Sequence, residues 1–323
     1  MKQKDFLNGY KQQCPFTIQI EPTEGCNLGC SFCGLQGMKK NGKTPWNFMN
    51  LETAERIASE IERVGWNSKI VFALHGEPTL NKQFLKIVGI FRKHLPKTVF
   101  HMYTNGCKFN HVSDPNDYVK RVFEAGIDNI VLDCYSDDGD WRFVDKLDDQ
   151  SVVVKYGKGV PLHTNNHNKR ILLLPPIQMD KENTSTRRLA NHAGAAFPLD
   201  PSFNKKRCTM PFREMCFRYD GNVNICCDDF RGKYPIASIH DLNIEDIWNH
   251  PRFQAARIML YNYSREFTPC FGCTNVSMRV GFLPDSSGKE TLPKITSEVK
   301  KFAQSVTKEN KPLSTIVKRS YEK

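Results

Sequence analysis

The 323-residue sequence predicts an α/β protein, a barrel of parallel strands followed by a smaller cysteine-rich unit. Three observations predict it. Six short apolar stretches suited to strands recur between Phe16 and Leu174, helical periodicities separate most of them, and six of the twelve cysteines lie beyond residue 200. Strands that alternate with helices pair in parallel, because each helix carries the chain back to the same edge.

The first strand is Phe16 to Ile20, where Phe16, Ile18 and Ile20 alternate with Thr17 and Gln19. Leu51, Ala54, Ile57, Ala58, Ile61 and Val64 then recur at steps of three and four, with Asn50 placed as an N-cap. The second strand is Ile70 to Leu74, and Phe84, Leu85, Val88 and Phe91 mark the helix after it. Val99 to Tyr103 is the third strand, and Tyr118, Val122 and Phe123 mark a further helix. Ile127 to Asp133, Val152 to Lys155 and Ile171 to Leu174 complete the six. Residues 156–170 show no helical pattern, so the last unit is the least regular. The expected division is 1–200 for the barrel, 201–280 for the cysteine-rich unit and 281–323 for a basic tail with little apolar periodicity.

Composition narrows the function. No run approaches the roughly 18 apolar residues of a membrane span, and Met1-Lys2-Gln3-Lys4-Asp5 lacks the apolar core of a signal peptide. Twelve cysteines without an export signal point to metal or redox chemistry in a reducing compartment, hence the cytoplasm. Lys and Arg total 46 against 35 Asp and Glu, a net charge of +11. That balance suits a phosphorylated or polyanionic partner, and equally a lysine-rich soluble surface.

The chemistry is concentrated in cysteine sets. Cys26, Cys30 and Cys33 form a C-x3-C-x2-C loop directly after the first strand. Three thiolates leave one iron of a [4Fe–4S] cluster open for a ligand, whereas structural zinc and electron-transfer clusters are usually closed by four. Cys208, Cys226, Cys270 and Cys273 supply such a closed count, with Cys216 and Cys227 competing for places. Zinc remains the alternative reading of both sets. Loops after parallel strands share one mouth. The cysteine loop, the His75-Gly76-Glu77-Pro78 turn, Thr104-Asn105-Gly106 and Asp133-Cys134-Tyr135 therefore ring the same end.

This series resembles the radical S-adenosylmethionine (radical SAM) superfamily, down to the aromatic Phe32 before the last cysteine of the loop. The later set resembles the SPASM auxiliary domain, or its shortened form, twitch, since no cysteine follows Cys273. The resemblance implies a partial (β/α)6 TIM-like barrel. It also implies a [4Fe–4S] cluster on Cys26, Cys30 and Cys33, with SAM bound near Phe32, Gly76, Glu77 and Asn105. An auxiliary [4Fe–4S] cluster would sit on Cys208, Cys226, Cys270 and Cys273. His75 stands where the family has a glycine. The implied chemistry is reductive cleavage of SAM to a 5′-deoxyadenosyl radical, which takes a hydrogen atom from a small polar or phosphorylated substrate. Flavodoxin or ferredoxin would supply the electron. Oxidation and isomerisation both remain open, with Asp133 as a base and Cys134 or Tyr135 as a hydrogen-atom donor. A peptide or nucleic-acid base as substrate, and a non-catalytic metal-binding scaffold, are the alternatives.

Overall fold

The computed structural model describes residues 14–135, 142–162, 166–176, 189–276 and 296–308. Strand β1 (Thr17–Ile20) leads to a small hairpin of β2 (Thr23–Glu24) and β3 (Asn47–Phe48). Helix α1 (Leu51–Val64) follows, and Asn50 caps it by accepting the Thr53 amide at 2.8 Å. Gly65 closes it in the left-handed region, where a residue without Cβ is unstrained. Then come β4 (Lys69–Phe72), α2 (Phe84–His94), β5 (Phe100–Thr104), α3 (Cys107–His111), α4 (Pro115–Ala125) and β6 (Asn129–Leu132). Strands β7 (Val153–Lys155) and β8 (Arg170–Leu173) end the series that the sequence predicts.

Each expected strand is present, with ends moved by a few residues. The spatial order is less regular than the chain order. The sheet runs β6–β8–β7, so β8 is inserted beside β6 and β7 is the edge.

The C-terminal segment contributes α5 (Met210–Arg213), β9 (Glu214–Phe217), β10 (Asn222–Asn224), β11 (Pro235–Ser238), α6 (Ile244–Trp248) and α7 (Pro251–Tyr261). Strand β9 pairs in parallel with β1, Ile20 opposite Phe217, and β10 and β11 continue the sheet antiparallel. The result is one open nine-stranded sheet in the order β11–β10–β9–β1–β4–β5–β6–β8–β7, with seven strands parallel. A boundary near residue 200 therefore separates stretches of sequence that one sheet joins. Helix α8 (Ser297–Lys308) lies within the expected basic tail; Ala303 and Thr307 on it are buried. The rest of that tail lies outside the described residues.

Strand alternation divides the core. Ile18, Ile20, Ile70, Phe72, Phe100, Met102, Ile130 and Leu132 face the helices in one large apolar cluster. The intervening positions face inward and are mixed: Gln19, Glu214, His101 and Arg170 are polar, whereas Val71, Val131 and Leu172 are apolar, the last two in a small cluster with Leu174 and Tyr103. Burying the polar groups is costly unless they are partnered. Here Glu214 accepts from Gln19 Nε2 at 2.6 Å, and Arg170 Nε donates to Asn129 Oδ1 at 2.5 Å.

Candidate active site

The loop of Cys26, Cys30 and Cys33 leaves the C-terminal end of β1 and is sewn to the turn after β4. Gly25 N donates to the His75 carbonyl at 3.1 Å, and Glu77 N donates to the Gly25 carbonyl at 2.9 Å. That approach dictates glycine at position 76, because a Cβ there would lie 2.2 Å from the Thr23 carbonyl oxygen. Gly25 has φ +131°, a conformation that side chains disfavour.

Glu77 is buried, and its carboxylate is saturated. It accepts from Thr79 N at 3.1 Å, Thr79 Oγ1 at 2.6 Å, Thr104 Oγ1 at 2.8 Å and Asn105 N at 2.8 Å. Burial raises its pKa and these bonds oppose the rise. Glu77 thus locks the turn after β4 to the turn after β5. Asn105, placed by this lock, directs Nδ2 to Cys26 Sγ at 3.5 Å, and Leu28 N approaches the same sulfur at 3.4 Å.

All twelve cysteines are free thiols. Burial pushes the pKa of Cys26 up to about 12 and that of Cys30 up to about 11, so each thiolate requires a cationic partner. Three soft, unpaired thiols on one loop, with N–H donors already aimed at the first, fit an iron–sulfur group. Phe32 packs on Tyr135 with ring centroids 5.7 Å apart. Tyr135 is hydrogen-bonded to Asp133 and lies within electrostatic reach of Cys30 and Cys33. Cys134, two residues beyond the end of β6, is buried.

The second set forms from three stretches. Cys208 precedes α5, Cys226 follows β10, and Cys270 and Cys273 share a turn closed by Cys273 N to the Cys270 carbonyl at 3.2 Å. Burial raises all the thiol pKa values for which a shift is resolved. Cys270 is raised further by Cys273 and Cys208, and Cys226 by Cys227 and Cys270, so these four thiols share one neighbourhood. Cys227 and Cys216 instead hydrogen-bond to Glu214. Four such thiols, three buried and Cys226 partly so, likewise fit an iron–sulfur cluster. Among the described residues, no three His, Cys, Asp or Glu side chains are arranged to hold a single metal ion.

Two families of residues were not singled out from the sequence. Arg265, 1% exposed, braces the second set: it donates to the carbonyls of Cys273 (2.7 Å), Asn275 (2.8 Å), Lys206 (2.8 Å) and Arg207 (3.1 Å). Arg218 follows β9 and meets the residues after β1. Its Nε donates to Glu21 Oε2 at 3.1 Å, it pairs with Glu24, and Nη1 donates to the Phe230 carbonyl at 3.1 Å. Isolated arginines carry no motif, so only the parallel pairing of β9 with β1 reveals their use.

Comparison with known proteins now assigns the family. Residues 20–147 match the model of the radical SAM superfamily, and residues 208–274 match SPASM, an iron–sulfur cluster-binding domain. The chain belongs to the radical SAM superfamily. It is a radical SAM enzyme whose cofactors are SAM, the SAM-binding [4Fe–4S] cluster and an auxiliary cluster. This radical SAM chain is 23% identical over 267 residues to the S-adenosyl-L-methionine-dependent 2-deoxy-scyllo-inosamine dehydrogenase of Niallia circulans, covering 81% of this chain and 94% of that protein. It is 26% identical over 91 residues to GTP 3′,8-cyclase of Pectobacterium atrosepticum, which covers only 27% of the cyclase. The crystal structure of BtrN in complex with AdoMet and 2-DOIA superposes with a TM-score of 0.63 at 22% identity, over 82% of this chain and 95% of that one. That likeness establishes a shared fold. No helix among the described residues is long and apolar enough to cross a membrane.

Proposed function

We propose that this radical SAM enzyme oxidises a hydroxyl-bearing carbon of a small, polar, cyclic substrate, of the aminocyclitol kind, to a ketone. The observation that carries the reading is the grouping of four thiols, Cys208, Cys226, Cys270 and Cys273, apart from the three on the loop after β1. The relative that covers nearly the whole chain is named as a dehydrogenase of such a compound, which supports it. With SAM and its cluster bound, the site supplies a 5′-deoxyadenosyl radical that takes one hydrogen atom from the substrate carbon. Ketone formation then requires loss of the hydroxyl proton and one further electron.

The residues divide that work. Cys26, Cys30 and Cys33 would hold the first cluster, three ligands being the number that leaves a place for SAM. Gly76 lets the turn after β4 close onto the cysteine loop, Asn105 and Phe32 would line the cofactor, and Glu77 keeps the two turns in register. Asp133 accepts the hydroxyl proton, with Tyr135 orienting its carboxylate. Cys208, Cys226, Cys270 and Cys273 hold the electron acceptor, and their count closes that cluster against substrate. Oxidation returns no hydrogen atom to the substrate, so this reading gives Cys134 no part. The first electron comes from a flavodoxin- or ferredoxin-type donor in a reducing cytoplasm, which also suits twelve free thiols.

The test is anaerobic incubation of the reconstituted enzyme with SAM, reductant and a panel containing 2-deoxy-scyllo-inosamine, simpler cyclitols and GTP. One ketone formed per 5′-deoxyadenosine from a cyclitol bears the proposal out. Turnover of GTP alone would move the substrate to the nucleotide class.

A further inference from the structure

His75 occupies the one position of the SAM-binding turn where this chain departs from the family's glycine, and the structure shows what its side chain does. It is fully buried. Its Nδ1 lies 2.9 Å from Glu21 Oε1, and its Nε2 lies 2.8 Å from the carbonyl oxygen of Cys227. The Cys227 carbonyl can only accept, so Nε2 carries a proton and donates to it, while Nδ1 lies beside the Glu21 carboxylate. Glu21 is itself held by Arg218 and by the Tyr219 amide at 3.1 Å. The imidazole is thus a strut with one foot on the residue after β1 and the other on the segment that carries Cys226.

A second contact runs alongside. The His75 ring packs on Phe230 with centroids 4.3 Å apart. Phe230 in turn lies against Gly34, the residue after Cys33, so closely that a Cβ there would be 2.5 Å from its ring. On its far side Phe230 meets His192 at 4.8 Å, and His192 Nδ1 lies 2.9 Å from Asp228 Oδ1. Asp228 also accepts from Asn275, two residues past Cys273. The two cysteine sets therefore share a single packed wall, with His75 and Phe230 at its centre.

We infer that His75 is a positioning residue for the auxiliary cluster: its hydrogen bond to the Cys227 carbonyl fixes the Cys226–Phe230 segment against the SAM-binding turn. A glycine at 75 provides neither the donor nor the ring. The segment would keep its ties through Arg218 and Glu214, which bond the Phe230 carbonyl and the Cys227 amide, and lose the one to the SAM-binding turn. The placement matters because electron transfer and substrate geometry both depend on where the second cluster stands relative to the first site.

This inference rests on the reading of Cys208, Cys226, Cys270 and Cys273 as cluster ligands, and its test is built to separate the two. His75→Gln keeps a donor at the Nε2 position and His75→Asn does not. Hydrogen–deuterium exchange over residues 226–230 of the full reconstituted chain reads the tie directly. A redox titration of the auxiliary cluster, in a chain with Cys26, Cys30 and Cys33 changed to alanine, reads its consequence. The expected result is exchange at least tenfold faster in His75→Asn with His75→Gln close to wild type. The auxiliary cluster's potential should likewise move in the first variant and not in the second. Unchanged exchange in His75→Asn, or equal changes in both variants, would overturn the inference. A wild-type chain that takes up no second cluster would sink the functional reading instead, and the exchange comparison would still decide the role of His75.

Discussion

Glu77 Oε1 accepts the Thr104 hydroxyl and Glu77 Oε2 the Asn105 amide, each at 2.8 Å, making the turns after two neighbouring strands one rigid piece. Because Asn105 reaches Cys26, the lock extends to the cluster loop. Glu77→Ala leaves several buried donors without an acceptor. Its expected effect is a loss of about 3 kcal/mol in unfolding free energy and at least tenfold weaker SAM cleavage. Urea unfolding of the iron-free protein and a 5′-deoxyadenosine assay check the two halves.

The cysteine assignment makes a count. Alanine at Cys208, Cys226, Cys270 or Cys273 is expected to lower iron from about eight per chain to about four, leaving SAM cleavage. Alanine at Cys216 or Cys227, which bond Glu214 instead, should leave iron content unchanged. Loss of iron in Cys227→Ala with retention in Cys226→Ala would reassign the fourth ligand.

Arg265→Lys cannot reproduce the four carbonyl contacts of a planar guanidinium. The turn of Cys270 and Cys273 should loosen, with about 2 to 3 kcal/mol lost and auxiliary iron released first on dilution into chelator. Equal release from both clusters would argue that Arg265 supports the fold in general.

His250 gives the pH dependence. It caps α7 by accepting the Arg252 amide at 3.2 Å, a role that needs a neutral ring, and burial holds its pKa down at about 4. Since the unfolded chain has the ordinary value near 6.5, unfolded molecules bind the proton first as pH falls. Stability is full above about 6.5 and declines toward pH 4, by about 3 kcal/mol in total. His250→Asn, a capping residue that does not titrate, should flatten that slope in urea unfolding from pH 7 to pH 4.

The barrel strands were readable because each is a local apolar run, and α1 because its stripe and its Asn50 cap are both local. Strand β9 was not, since Glu214-Met215-Cys216-Phe217 is short and opens on a carboxylate, and its partner β1 lies about two hundred positions earlier in the chain. The exchange of β7 and β8 is likewise a matter of pairing that no window of sequence encodes. In the site, the cysteines announced themselves by spacing and Gly76 by the family resemblance. Arg218, Arg265, His192 and Phe230 acquire meaning only where the β1–β9 pairing brings them together.

The most direct measurement is 5′-deoxyadenosine released by anaerobically reconstituted enzyme given SAM and dithionite, beside a sample with Cys26, Cys30 and Cys33 changed to alanine. The account predicts deoxyadenosine from the wild type alone, with about eight irons per chain in the wild type and about four in the variant. Zinc in place of iron, or no cleavage of SAM by fully loaded protein, would contradict it.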